Sequence, residues 1–144
     1  MLDYQTLDNI ADAFTPALLA TCLLLIAQSL FQKNWKQAAS QVSLLTYSIV
    51  LTYGLMLLDN LFGIWPSFDL DYSTHTAAAL VLSVFLMLFL KSAQLLWLSA
   101  FMTYCALMYY QNYHTIGDIL STALVVMTLL TPITSKLSDS LTEE

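Results

Sequence analysis

Long apolar runs separated by short polar clusters set the pattern of this chain, and each run is close to the length of one membrane crossing. Thr15 followed by Pro16 matches an N-cap with proline in the first turn, so the run from Ala17 to Phe31 predicts a first transmembrane helix. Polar residues 32–40 close it. A second span is expected from about Val42 to Ile64, ended by Trp65 and Pro66 and carrying Asp59 and Asn60 near its far end. The third runs from His75 to Leu90, with Tyr72, Ser73 and Thr74 sharing its first turn, and the fourth from about Gln94 to Tyr110. The fifth opens at His114 and continues to about Thr131, where Pro132 marks the end of regular helix and a polar tail from Ser135 onward frays. A bilayer core about 30 Å thick takes roughly 20 apolar residues per helix. The five runs therefore predict an all-α fold, a polytopic membrane helix bundle with about five transmembrane helices. It makes a single transmembrane domain over residues 1–144, with 1–14 as an outer N-terminal segment and 135–144 as a cytoplasmic polar tail.

Composition strengthens this reading. Hydrophobic residues make up 58% of the chain and charged ones 10%, against about 25% charged in a soluble domain. Water is not its main solvent. The net charge of -6 comes from acids in the N-terminal segment, one loop and the tail. Four lysines without an arginine cannot build a basic stripe, so no nucleic-acid partner is implied. The first fifteen residues carry Asp3, Asp8 and Asp12 and no basic residue. That is the wrong charge for the n-region of a cleaved signal peptide, and the first apolar run is expected to stay in the mature protein. Cys22 and Cys105 lie inside apolar runs and read as small buried side chains. Tyr47, Tyr53 and Tyr104 within the spans need hydrogen-bond partners, which favours positions facing the bundle.

Lysines set the expected orientation, because short loops rich in Lys stay in the cytoplasm. With five crossings, Lys33, Lys36, Lys91 and Lys136 all fall on one side, which puts the C-terminus in the cytoplasm and the N-terminus outside, as in a bacterial inner-membrane protein. Asp69, Asp71 and both histidines share the other side. Trp65, Tyr72, Tyr109, Tyr110 and Tyr113 are expected to form an aromatic belt there, with Trp35 and Trp97 at the inner boundary.

His114 and Asp118 stand four apart at the start of the fifth span, so a helix would put them on one face. An acid within a membrane span costs about 2.5–3.5 kcal/mol at mid-helix and less near the ends, which makes it a functional candidate by default. His75 opens the third span on the same side. Asp59 reads as an interhelical hydrogen-bonding group or as part of a site lining, and Asp71 or Ser73 as the N-cap of the third helix.

Taken together, Asp71-Tyr72-Ser73-Thr74-His75-Thr76 and His114-Thr115-Ile116-Gly117-Asp118 resemble the two histidine motifs of the type-2 phosphatidic acid phosphatase superfamily. The likeness is closer to its sphingomyelin-synthase branch, where Ser-Gly-His-Thr at one helix start pairs with a later His-x-x-x-Asp. Thr74 stands here where that branch has glycine. The superfamily's Lys-x6-Arg-Pro motif has no counterpart, and Leu107-Met108 occupies the place of its Ser-Arg pair. The resemblance covers about the second half of the chain. It implies that His114 attacks phosphorus, Asp118 orients it and His75 protonates the leaving oxygen, with Asp71, Tyr72, Ser73, Thr74 and Asp59 around the substrate. The implied activity is a phosphohydrolase or head-group phosphotransferase acting on a lipid phosphate ester at the outer face. No cofactor is required by that chemistry, although Asp59, Asp69 and Asp71 with the two histidines also offer a donor set for a divalent metal. A membrane lipid is the implied partner, and a second subunit is compatible with the missing basic residues. Two other classes remain open: a non-catalytic membrane partner or assembly protein that keeps the fold, and a small channel or transporter using His114, Asp118 and Asp59.

Overall fold

The computed structural model describes residues 4–142; Asp3, counted above among the acids, and residues 143–144 of the expected tail lie outside them. Five helices follow one another: α1 (Tyr4–Phe31), α2 (Trp35–Phe62), α3 (Thr74–Phe89), α4 (Gln94–Tyr110) and α5 (Ile116–Thr142), with short 3-10 turns at Pro66–Phe68 and Lys91–Ala93. The helices alternate in direction. Lys33, Lys36, Lys91 and Lys136 gather at one end of the bundle, while Asp8, Asp12, Asp59, Asp69, Asp71, Asp118 and both histidines gather at the other.

α3 is the hub. It packs against α1, α2, α4 and α5, and ten of its residues are buried. A helix apolar on every side has to be enclosed on every side, and the sequence from Ala77 to Phe89 has no charged residue. Around it the outer helices touch in the order α5, α2, α1, α4, while α4 and α5 make little direct contact and leave apolar cavities along their seam. The largest of these, about 530 Å³, sits at the lysine end and is lined by Val84, Met87, Gln94, Leu98 and Thr134, with no titratable group.

Only α1, α2 and α5 are both long and apolar enough to cross a membrane by themselves. At 16 and 17 residues, α3 and α4 extend about 24–26 Å at 1.5 Å per residue, short of a full bilayer core. The outer surface carries Leu24, Phe31, Val50, Leu61, Leu95 and Leu124 largely exposed, a surface suited to hydrocarbon.

Two of the three prolines expected at helix boundaries lie inside helices, Pro16 within α1 and Pro132 within α5, while Pro66 falls after α2 as expected. α1 therefore starts at Tyr4, and the expected tail from Ser135 is helical to Thr142. In hydrocarbon a chain that leaves the helix finds no water for its amides, so continuing past proline with one lost bond costs less than breaking. Nearby hydroxyls help. Thr131 donates to the Met127 carbonyl (2.7 Å) and Thr134 to the Leu130 carbonyl (3.3 Å). Likewise α2 begins at Trp35, inside the segment expected to be a loop, because the Asn34 side chain caps it by accepting from the Gln37 amide (3.2 Å). At its far end Gly63 takes φ 61°, where a side chain would be strained, and donates to the Asp59 carbonyl.

Trp65 and Tyr72, expected in an outer aromatic belt, are buried instead, whereas Tyr109, Tyr110 and Tyr113 are exposed as expected. The two rings meet edge to face at 4.9 Å. Trp65 donates to the Ser121 hydroxyl of α5 (3.0 Å) and Tyr72 to the Thr52 carbonyl of α2 (2.9 Å), so each polar tip is satisfied inside the bundle. Tyr47 similarly donates to the Leu129 carbonyl (2.9 Å), while Tyr53 faces outward. Interhelical hydrogen bonds in membranes average only about 0.6 kcal/mol. Packing around α3 must therefore supply most of the cohesion. Phe85 is fully buried there and Leu24 is 70% exposed. Phe85→Ala is expected to destabilise the bundle by roughly 2 kcal/mol or more through lost contacts and a residual cavity, read as a lower melting temperature in detergent, with Leu24→Ala close to wild type.

Candidate functional site at the histidine end

Two helix starts meet at the acidic end. α3 is capped by Ser73, whose hydroxyl accepts from the Thr76 amide (3.2 Å) and donates to the Thr76 hydroxyl. α5 is capped by a reciprocal pair. The Thr115 hydroxyl accepts from the Asp118 amide (3.2 Å), and the Asp118 carboxylate accepts from the Thr115 amide (2.8 Å). This is a capping box with aspartate in the third position. The same carboxylate reaches further: its other oxygen accepts from the Asp71 amide (2.8 Å), tying the chain that leads into α3 to the start of α5. The Ser73 amide adds a second tie by donating to the Thr122 hydroxyl (3.1 Å). Gly117 lets the two segments close, since a Cβ there would stand 2.8 Å from Leu70 Cδ2.

His114 is not in a helix. It precedes α5 by two residues, so the helical spacing that predicts its pairing with Asp118 does not operate. The turn still brings its Nδ1 to 3.9 Å from Asp118 Oδ2, beyond a hydrogen bond but within reach of attraction. His75 lies in the first turn of α3, with Nδ1 3.4 Å from the Tyr104 hydroxyl of α4. Phe14 of α1 stacks on that phenol at 4.3 Å, and Tyr113 donates to the Asp8 carboxylate, so α1 closes the other side of the site. His75 stands close enough for its charge to disfavour a proton on His114.

The remaining sequence candidates divide. Asp71 is exposed, and Thr74 lines a cavity of about 190 Å³ with His75, Asp12, Thr15 and Tyr53. Tyr72 and Ser73 are turned inward and hold the fold rather than face the cavity. Asp59 accepts from the Trp65 amide (2.7 Å) and so stabilises the turn after α2, a local bond rather than one between helices. Among the described residues no group of three or more His, Cys, Asp or Glu side chains stands in a metal-holding arrangement.

Three site residues escape a reading of motifs. Tyr104 touches His75, and Asp12 shares its cavity, but each comes from a distant helix. Gln111, between α4 and His114, is 5% exposed, with neither its amide nitrogen nor its oxygen hydrogen-bonded among the described residues. No local sequence signal marks these positions. First-turn amides of Thr74 and His75 in α3, and of Ile116 and Gly117 in α5, have no acceptor within their own helices. Such amides favour an anion.

Compared with protein families, with curated proteins and with solved structures, the chain matches none.

Burial holds the His114 imidazole below its ordinary value of 6.5, with the His75 charge acting in the same direction and Asp118 and Asp71 opposing. The neutral form of His114 is thereby favoured at neutral pH. The unfolded chain takes up this proton more readily than the folded one. The stability from neutral His114 is thus fully present above 6.5 and is lost as pH falls through the lower, folded value. An NMR titration of the imidazole signals is expected to give a His114 midpoint below 6.5, with melting temperature declining as pH falls from 6.5 to that midpoint.

Proposed function

We propose that the histidine end is a phosphoester site, at which His114 and His75 release or transfer the phosphate-bearing group of a membrane lipid. What supports the reading is that His75 and the His114–Asp118 pair lie at the paired starts of α3 and α5, with His114 Nδ1 3.9 Å from Asp118 Oδ2. In the reaction, the nitrogen of His114 remote from Asp118 attacks phosphorus. A P–N bond forms, the P–O bond to the leaving alcohol breaks, and His75 gives that oxygen its proton. Water or a second alcohol then hands a proton back to His75 and attacks the phosphohistidine, freeing His114. Asp118 holds the turn that carries His114 and stabilises the positive charge its ring acquires. Amides of the two helix starts receive the phosphate oxygens in place of the basic residues usual in the resembling superfamily.

The same reading includes five crossings, with the short α3 and α4 spanning inside the shelter of the longer helices. The lysine end then faces the cytoplasm and the histidine end the outer leaflet, the side on which Lys is scarce.

A second reading, a non-catalytic membrane partner with the same fold, draws on two observations. Both oxygens of Asp118 are occupied by backbone amides, and every lysine lies at the opposite end. An Asp118 substitution would disturb both the cap and any catalysis, so His114 is the residue that separates the readings.

Purified protein offered a phospholipid is expected to release or transfer phosphate in a chelator-insensitive reaction. His114→Ala should reduce the rate by at least about a thousandfold, the scale for loss of a nucleophile, without changing the melting temperature. Absence of turnover on every head group tried, or full turnover by His114→Ala, overturns the phosphoester reading. For orientation, a cysteine in place of Lys91, in a chain with Cys22 and Cys105 changed to Ala, should react with an impermeant maleimide only from the cytoplasmic side.

A further inference from the structure

Hydroxyls on the outer faces of the helices satisfy themselves. Thr21, Thr103, Thr128 and Thr131 each donate to the carbonyl one turn back, at 2.7–2.9 Å. Ser48 and Thr52 on α2 do not. Their side chains are 1% and 2% exposed, and neither oxygen has a hydrogen-bond partner among the described residues. Both line a cavity of about 160 Å³ between α1, α2 and α3, whose other walls include Leu19, Ile49, Val81 and Leu82. The cavity of His75 and Asp12 shares Thr15, Tyr53 and Ala78 with it. The two form one cleft from the histidine end into the apolar middle of the bundle. At its rim Ile49 and Tyr53 are about half exposed on the outside of the helices, so it opens sideways, toward hydrocarbon.

A hydroxyl left without a partner in such surroundings is costly, and both had the helical carbonyl open to their neighbours elsewhere. Their placement fits a ligand that supplies an acceptor. Water could serve the hydroxyls of Ser48, Thr52, Thr15 and Tyr53, but it leaves the apolar walls of Leu19, Ile49, Val81 and Leu82 without contacts in a cleft that opens toward hydrocarbon. An acyl chain is suited to those walls, and the ester that joins it to a lipid carries a carbonyl, which accepts and never donates. We propose that this cleft binds one chain of an ester-linked membrane lipid, with Ser48 and Thr52 donating to its ester carbonyl. The chain site stands on the two unpartnered hydroxyls; the placing of that lipid's phosphate beside His75 rests on the phosphoester reading.

The test offers the full-length protein in micelles a phosphatidylethanolamine carrying a diazirine in one acyl chain, alongside its diether counterpart, and maps the photolabel by mass spectrometry. Label is expected at Leu19, Ile49, Val81 or Leu82, with the diester captured about fivefold better than the diether, the scale of one net hydrogen bond. Ser48→Ala with Thr52→Val should bring the two lipids to within about twofold of each other. Leu82→Trp, which fills the slot, should remove label from these positions. Equal capture of diester and diether by the wild-type chain, or label confined to the seam between α4 and α5, overturns the proposal; the wild-type comparison needs no variant to fold. Capture is read without turnover. A protein that labels as expected yet releases no phosphate loses the reaction and keeps the cleft, and turnover without label in the cleft does the reverse.

Discussion

The carboxylate of Asp118 joins the start of α5 to the segment that leads into α3, and the histidine end takes its shape from that join. A carboxylate in an apolar bundle needs donors for both oxygens. Here the donors are two backbone amides from different parts of the chain, so satisfying the charge also sets two helix starts side by side. His75 and His114, each adjacent to one of those starts, are brought to the same end as a consequence. Electrostatic necessity and site geometry are the same event at this residue.

α3 supplies the complementary constraint. It is short and apolar on every face, and four helices close around it. Because lipid offers apolar side chains no less than a protein interior does, burial alone gives little reason for the helices to associate. Close contact around Phe85 and Leu86 does. The outer helices, longer and satisfied on their exposed faces by hydroxyls bonded to their own carbonyls, tolerate proline in mid-helix. The exceptions are on the inner face of α2, where Ser48 and Thr52 lie unpartnered beside an open cleft. Two such hydroxyls beside one open cleft mark it as a place shaped for something besides protein.

Charge is arranged with the same asymmetry. Both imidazoles and every described acid except Asp139 occupy one end, and all lysines the other. An anion at the histidine end would meet helix N-termini rather than basic side chains, each helix start offering about half a unit charge.

Hydropathy by itself determined the five helices, the end of the first at Phe31, the bounds of the fourth, and the separation of lysines from acids, because each depends on composition along a single stretch of chain. The placing of both histidines and Asp118 at one end was legible, since it follows from counting crossings. The approach of His114 to Asp118 was not, since it runs through a turn and a capping box rather than along a helix face. The inward turn of Trp65 and Tyr72, the passage of helices through Pro16 and Pro132, the approach of Tyr104 and Asp12 to His75, and the cleft beside Ser48 were decided only by tertiary structure. Each depends on which partner a polar or bulky group finds across helices, and a sequence read along one dimension holds no record of that choice.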